Sequence, residues 1–148
     1  MNIQRVKQGA KITFYNGLYM VFVGIYFIIF IDFNMKLNFN SIYQLWTFFW
    51  RYNSKISYMF YLFNLILGIS LISNGIFISY ISNLIIRRKE KITWVILFVA
   101  GILTWAGLLI VSFLFKNILL IILSFIGWIF FIFGMIFPIK YYLQRESI

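Results

Sequence analysis

Four long apolar stretches take up most of the chain, at residues of about 12–32, 56–86, 92–115 and 118–139. Each is long enough, as an α-helix, to cross a hydrocarbon core of about 30 Å. The first stretch lacks a small-x-small cleavage site, so we expect a retained helix rather than a signal peptide. The pattern predicts an all-α fold, an integral membrane four-helix bundle that forms a single domain over residues 1–148.

The connection at residues 33–55 carries a different pattern. Within it, apolar residues recur at helical spacing and oppose a polar side that includes Gln44; the apolar set is Ile42, Leu45, Trp46, Phe49 and Trp50. This predicts a short amphipathic helix at about 41–52 that lies in the membrane interface. Trp46 and Trp50 would anchor it at headgroup depth, or would dock a partner subunit.

Small and polar residues of the second apolar stretch lie on one side of a helix: Asn64, Gly68, Gly75, Ser79 and Ser82, with Leu71 filling the gap. Glycines seven residues apart also occur in the first stretch, at Gly17 and Gly24, and in the fourth, at Gly127 and Gly134. Because small residues let helix backbones approach closely, we expect these positions to be helix-packing contacts. An internal duplication is an alternative origin, but the third stretch, with Gly101 and Gly107, does not share the spacing.

Only Lys116 and Asn117 separate the third and fourth stretches. So short a connection predicts that these two helices are antiparallel neighbours. Asn117 is expected to form the turn, because asparagine tolerates left-handed backbone angles. Pro138 lies close to Lys140 and predicts a helix end rather than a hinge.

The charges indicate membrane topology rather than nucleic-acid binding. The net charge is +10, but the thirteen Lys and Arg residues lie at the ends of the apolar stretches. Nine lie on the side of the two termini and four on the other side, so the positive-inside rule places both termini in the cytoplasm, or in the matrix or stroma of an organelle. The densest cluster, Arg87, Arg88, Lys89 and Lys91, is expected to contact anionic lipid.

Several kinds of chemistry lack the residues that they need. The chain contains no His and no Cys, and its acidic residues, Asp32, Glu90 and Glu146, all lie at helix ends or in tails. A proton- or sodium-coupled carrier normally uses a carboxylate inside the membrane, and a serine nucleophile needs a base. The sequence therefore predicts a protein that is not an enzyme, with no cofactor and no metal site.

Neutral polar residues remain inside the membrane, and each is expected to face another helix: Asn16, Asn64, Asn74, Thr104, Ser112 and Ser124. They would serve mainly as hydrogen bonds between helices. A sharper interpretation is a polar pocket for a lipid headgroup, quinone or small solute, in which Tyr61 and Trp105 form aromatic walls around Asn64 and further candidate ligands are Asn16, Asn74 and Thr104.

Two functional hypotheses follow. The first is a structural or accessory subunit of a larger membrane complex, or a homo-oligomer, with membrane lipids and other membrane subunits or further copies as partners. The alternative is a small protein that binds or translocates a lipid or hydrophobic solute without a protonatable coupling site. Immunity to a membrane-active toxin is a third class, which no residue pattern selects. Either a cell membrane or an organellar inner membrane suits the composition.

Overall fold

A computed structural model describes residues 2–42 and 45–144 of the protein. These residues form seven α-helices and no strand: α1 Asn2–Ile29, α2 Ile31–Ile42, α3 Trp46–Tyr52, α4 Ser54–Arg88, α5 Lys91–Leu114, α6 Ile118–Ile136 and α7 Ile139–Gln144. Four of them, α1, α4, α5 and α6, are long and apolar enough to cross a membrane. The prediction of an all-α four-helix bundle is confirmed, and the protein is a multi-pass membrane protein.

The helices between the first and second spans differ from the predicted connection. α2 continues the chain after a break at Phe30, where only one short amphipathic helix was expected. Its apolar residues Ile31 and Met35 share one side, while Asn34 and Asn38 lie on a neighbouring side and are also buried. The helix predicted at about 41–52 corresponds to the shorter α3, and Gln44 lies outside the described residues.

The spans alternate in direction, so the molecule has two ends. Gly9 of α1 lies against Gly134 and Pro138, which places both described termini and the α4–α5 connection at one end, called the terminal side. At the other end, Asn117 Nδ2 donates to Asn38 Oδ1 at 2.7 Å, which ties α2 to the start of α6. Helices α2 and α3 and the α5–α6 turn therefore lie together at this end, called the α3 side.

α1 packs along α4 through two pairs of glycines. A methyl group added to Gly17 would lie 2.7 Å from the carbonyl oxygen of Gly75, and one added to Gly24 would lie 2.7 Å from that of Gly68. The two glycines of each helix are seven residues apart, so one antiparallel register brings both pairs together. Lipid supplies no hydrophobic force between helices, so this close van der Waals contact holds the pair. We call it the glycine seam.

A hydrogen bond accompanies the seam. Ser82 Oγ donates to Thr13 Oγ1 at 2.9 Å, and both residues are buried. Ser79 is also buried and lies against Gly17.

α5 and α6 pack by a different device, in which a large ring covers a glycine of the other helix. The Trp105 ring of α5 lies on Gly127 of α6, and the Phe131 ring of α6 lies on Gly101 of α5. Ser112 and Ser124 also meet between these helices, with their hydroxyl oxygens 3.2 Å apart. The pair is antiparallel and adjacent, as the short connection predicts.

The turn between α5 and α6 uses its residues differently from the prediction. Lys116, not Asn117, is left-handed, with φ of 53°. Asn117 is extended, and its side-chain oxygen accepts from the backbone N–H of Leu119 at 3.1 Å. Asn117 is therefore the N-cap of α6, because its side chain satisfies N–H groups that the helix leaves free.

The basic cluster lies at the α4–α5 connection. Arg87 and Arg88 occupy the last turn of α4, where positive charge is favourable to the helix dipole, and Lys89 ends the helix in a left-handed conformation. Arg145, counted among the charges of the same side, lies outside the described residues.

The seam predicts a matched difference between two glycine substitutions. Gly17→Ala places a methyl group against the α4 backbone and should lower the free energy of unfolding by about 1–3 kcal/mol. Gly107→Ala should leave it unchanged or raise it by up to about 1 kcal/mol, because nothing lies within 4 Å of the added atom and alanine favours a helix. Reversible unfolding in SDS-containing mixed micelles measures both; equal stability of the two variants would contradict the seam.

Candidate functional site

A cavity of about 450 Å³ lies at the α3 side, where α2, α3, α4, α5 and α6 meet. Its lining is apolar and aromatic apart from two asparagines: Met35, Asn38, Phe39, Trp46, Phe60, Phe63, Asn64, Leu67, Val111, Phe115 and Leu120. This volume falls within the roughly 300–1,000 Å³ that is typical of small-molecule sites. The cavity is therefore large enough for a ligand, and its walls suit an apolar one.

Aromatic rings close the cavity toward α3. The Phe39 ring centre is 5.1 Å from that of Trp46 and 5.1 Å from that of Phe49. The Phe60 ring of α4 meets Phe39 edge-on at 6.3 Å and Trp46 edge-on at 6.4 Å. Edge-to-face and offset contacts at these distances are favourable, so the rings stabilise this wall against the rest of the bundle.

The two asparagines supply the polar atoms of the lining. Asn64 Nδ2 donates to the Phe60 carbonyl oxygen at 3.0 Å, and Asn38 Oδ1 accepts from Asn117 at 2.7 Å. Asn64 thereby uses its amide nitrogen, and Asn38 uses its amide oxygen. No hydrogen bond to Asn64 Oδ1 or from Asn38 Nδ2 joins them to other described residues, so the cavity offers one acceptor and one donor.

The cavity opens toward the membrane between α4 and α5. Three of its lining residues are also exposed on the outer surface: Phe63 at 62%, Phe60 at 40% and Val111 at 38%. α4 and α5 are joined at the terminal side, and these residues lie in the first part of α4 and near the end of α5, far from that connection. The cavity is thus open on a side of the bundle that faces lipid.

Asn16 and Trp105 lie in a separate network at the centre of the bundle. Trp105 Nε1 donates to Asn16 Oδ1 at 2.8 Å, and Asn16 Nδ2 donates to the Gly127 carbonyl oxygen at 2.7 Å. Tyr19 stacks on Trp105 and donates from its hydroxyl to the Leu123 carbonyl oxygen at 3.0 Å. Asn16 and Trp105 are fully buried, so this network joins α1, α5 and α6 inside the bundle.

The remaining predicted residues are dispersed. Tyr61 stacks on Tyr58 and packs against the cluster around Trp46, but it does not line the cavity, and neither does Trp105. Thr104 donates to the Ala100 carbonyl oxygen of its own helix at 2.8 Å. Asn74 is exposed, although every intramembrane asparagine was expected to face another helix. Of the six residues predicted to contact a ligand, only Asn64 lines the cavity.

α3 directs its two tryptophans differently. Trp46 is only 8% exposed and packs inside the aromatic wall, whereas Trp50 faces outward. The residues missed by the sequence analysis lie mainly on α2, namely Met35, Asn38 and Phe39. Their helical spacing, with Asn34, Asn38 and Ser41 on one side, was the signal that could have identified them.

A pair of asparagine substitutions tests the central network. Asn16→Leu leaves the buried Trp105 N–H without its acceptor and should lower the free energy of unfolding by about 1–2 kcal/mol. Asn34→Leu is the control: Asn34 Nδ2 is buried, but it has no acceptor within the described part of the chain, so its loss should leave stability unchanged or raise it. Unfolding titrations in one bicelle system compare the two; an Asn16→Leu protein as stable as the parent would contradict the network.

Comparison of the chain with family models, with curated proteins and with solved structures found no match. Its function is accordingly inferred from the cavity and from the surfaces of the spans.

Proposed function

We propose that the protein binds an uncharged, largely hydrophobic molecule, such as a neutral lipid chain or an amphiphile with a small polar group, in the cavity at the α3 side. The observation that carries this proposal is the cavity itself, with its volume of about 450 Å³, its aromatic walls and its two amides. Asn64, which the sequence singled out, lies in its lining.

The lining favours a neutral ligand over a charged one. No Lys, Arg, Asp or Glu is among the lining residues. A charge taken into such a site would lose its hydration and gain no counterion, which is strongly unfavourable. The acceptor on Asn64 and the donor on Asn38 can instead each make one hydrogen bond to a hydroxyl or carbonyl group.

Binding without catalysis is part of the proposal. The absence of His and Cys from the chain supports it, as does the position of the three acidic residues at helix ends or in tails. The neutral lining also supports translocation or storage of a solute that needs no coupling to proton or sodium transfer.

A structural or accessory role, as a subunit or a homo-oligomer, is a second candidate. Asn74 favours it, because this amide is exposed on a membrane-spanning helix and has no hydrogen bond to the described residues. A polar group in hydrocarbon is stabilised by a partner, and another membrane chain can supply one.

The orientation with both termini in the cytoplasm, or in the matrix or stroma, belongs to the same proposal. The basic residues at the α4–α5 connection, Arg87, Arg88, Lys89 and Lys91, support it, because they would meet an anionic leaflet there.

Photolabelling tests the cavity directly. The protein in lipid vesicles is exposed to three diazirine probes with the same sixteen-carbon chain: an alcohol, an alkane and a carboxylate. We expect the alcohol to label peptides of α2, α3 and the first part of α4 most strongly, because it can use Asn64 and Asn38. The alkane should label less, and the carboxylate least, because the site has no cation. Mass spectrometry locates the modified residues.

Two variants and a matched control extend the test. Leu67→Trp fills the cavity and should reduce labelling by the alcohol about tenfold, which corresponds to ~1.4 kcal/mol. Ile66→Trp is the matched control, because Ile66 is the adjacent residue, is exposed and does not line the cavity. Asn64→Leu should reduce the advantage of the alcohol over the alkane, because only the Asn38 donor remains, while alkane labelling persists. Equal labelling of the Leu67→Trp and Ile66→Trp proteins would overturn the cavity proposal.

A further inference from the structure

Asn74 lies level with the middle of the shortest membrane-spanning helix. Asn16 binds the carbonyl group of Gly127, which is near the centre of α6, the shortest span. The next residue along α1, Gly17, contacts Gly75 of α4. Asn74 precedes Gly75, so its depth is that of the centre of α6. There the hydrocarbon offers no hydrogen bond to an exposed amide.

The surface around Asn74 is also polar and small. Ser70, Ser73 and Asn74 are all exposed, and none of their side chains makes a hydrogen bond to the residues that the structure describes. Ser70 precedes Asn74 by four positions and Phe77 follows it by three, so all of these residues lie on neighbouring parts of one helix side. We call this set, Ser70, Ser73, Asn74 and Phe77, the α4 outer face.

We propose that two copies of the chain associate through the α4 outer face, with the two Asn74 amides hydrogen-bonded to each other across a two-fold axis. An amide carries both a donor and an acceptor, so each copy can supply what the other needs. Both copies have the same orientation in the membrane, and a two-fold axis normal to the membrane preserves that orientation. The chemistry of the exposed group therefore selects a second copy as its partner.

The shape of the face permits the contact. Ser70 and Ser73 are small, so a second α4 can approach closely, as at other interfaces of small residues between membrane helices. The face is distinct from the glycine seam, whose Gly68 and Gly75 are already buried against α1. α1 therefore remains in place when the dimer forms.

The basic ends of α4 are compatible with the dimer. Arg87 lies thirteen residues beyond Asn74, a rise of about 20 Å along the helix. If the two α4 helices cross at about 40°, as in closely packed small-residue pairs, the Arg87 positions of the two copies are about 15 Å apart. That is about twice the Debye length at physiological salt, so repulsion between the basic clusters is largely screened.

The inference deepens the second candidate function by naming its partner, and it does not depend on the cavity. Phe63, the exposed aromatic residue of the cavity, is eleven residues from Asn74, or about 16 Å along α4. Dimerisation and ligand binding can therefore be measured separately in the same protein.

Fluorescence energy transfer between copies in lipid vesicles tests the proposal. The chain has no cysteine, so Lys7→Cys, at an exposed position near the terminal side, gives a single site for donor or acceptor dye. Energy transfer is followed as the protein is diluted in lipid. We expect the copies to dissociate on dilution. Asn74→Leu should weaken their association about tenfold in affinity, whereas Asn74→Gln, which keeps the amide, should retain most of the affinity.

Asn83→Leu is the matched control, because Asn83 is exposed on the same helix but lies nine residues nearer the basic end, where water can reach it. It should dissociate like the parent protein. Circular dichroism of each variant in the same vesicles shows that it is folded.

Three results would overturn the proposal, and they have different consequences. Energy transfer that Asn74→Leu leaves unchanged would mean that copies meet through another face, and the homo-oligomer candidate would stand. A parent protein that is monomeric at every dilution would remove self-association but leave the cavity proposal intact. Native mass spectrometry of gently extracted membranes that shows a different chain, lost in Asn74→Leu, would assign the face to that chain instead.

Discussion

The contact between α1 and α4 at the glycine seam is the constraint on which the rest of the structure depends. Two glycines on each helix, in one antiparallel register, bring the backbones so close that a single added methyl group would collide with a carbonyl oxygen. The hydrophobic effect does not drive helices together in lipid. Close van der Waals contact at the seam takes its place and stabilises the pair. Once α4 is fixed along α1, the other sides of α1 are left for α6 and, through Asn16 and Trp105, for α5.

The cavity follows from how α4 and α5 are held. α5 is locked to α6 by rings that lie on glycines, while its link to α4 is the short connection at the terminal side. At the α3 side, α2 and α3 pack against α4, and Asn117 and Ser41 tie α2 to the α5–α6 turn. The bulky side chains there, Phe39, Trp46, Phe60 and Phe115, line a space that they do not fill. A cavity thus arises where the interlocking contacts end.

Much of this architecture could be predicted from the sequence, and the exceptions have physical reasons. The length and spacing of apolar residues determine the four spans, and glycine spacing indicated which sides pack closely. The hydrogen-bond partner of each polar residue could not be predicted from the sequence. Trp105 and Asn16, for example, are 89 residues apart, and only the packing of three helices brings them together. α2 was missed because its asparagines suggest a connection, although two of them, Asn34 and Asn38, lie on one buried side. Asn74 does not follow the rule that polar residues face inward, and the dimer proposed above would supply its partner.

Solid-state NMR of the natural sequence in lipid bilayers, with carbon-13 in glycine alone, tests the seam most directly. The chain has nine glycines, so the correlations between their carbons are few enough to assign. We predict cross-peaks between Gly17 and Gly75 and between Gly24 and Gly68, from the α-carbon of one residue to the carbonyl carbon of the other. Their absence, or cross-peaks that pair Gly17 with Gly68, would mean that α1 and α4 pack in another register and that the cavity is not formed as described.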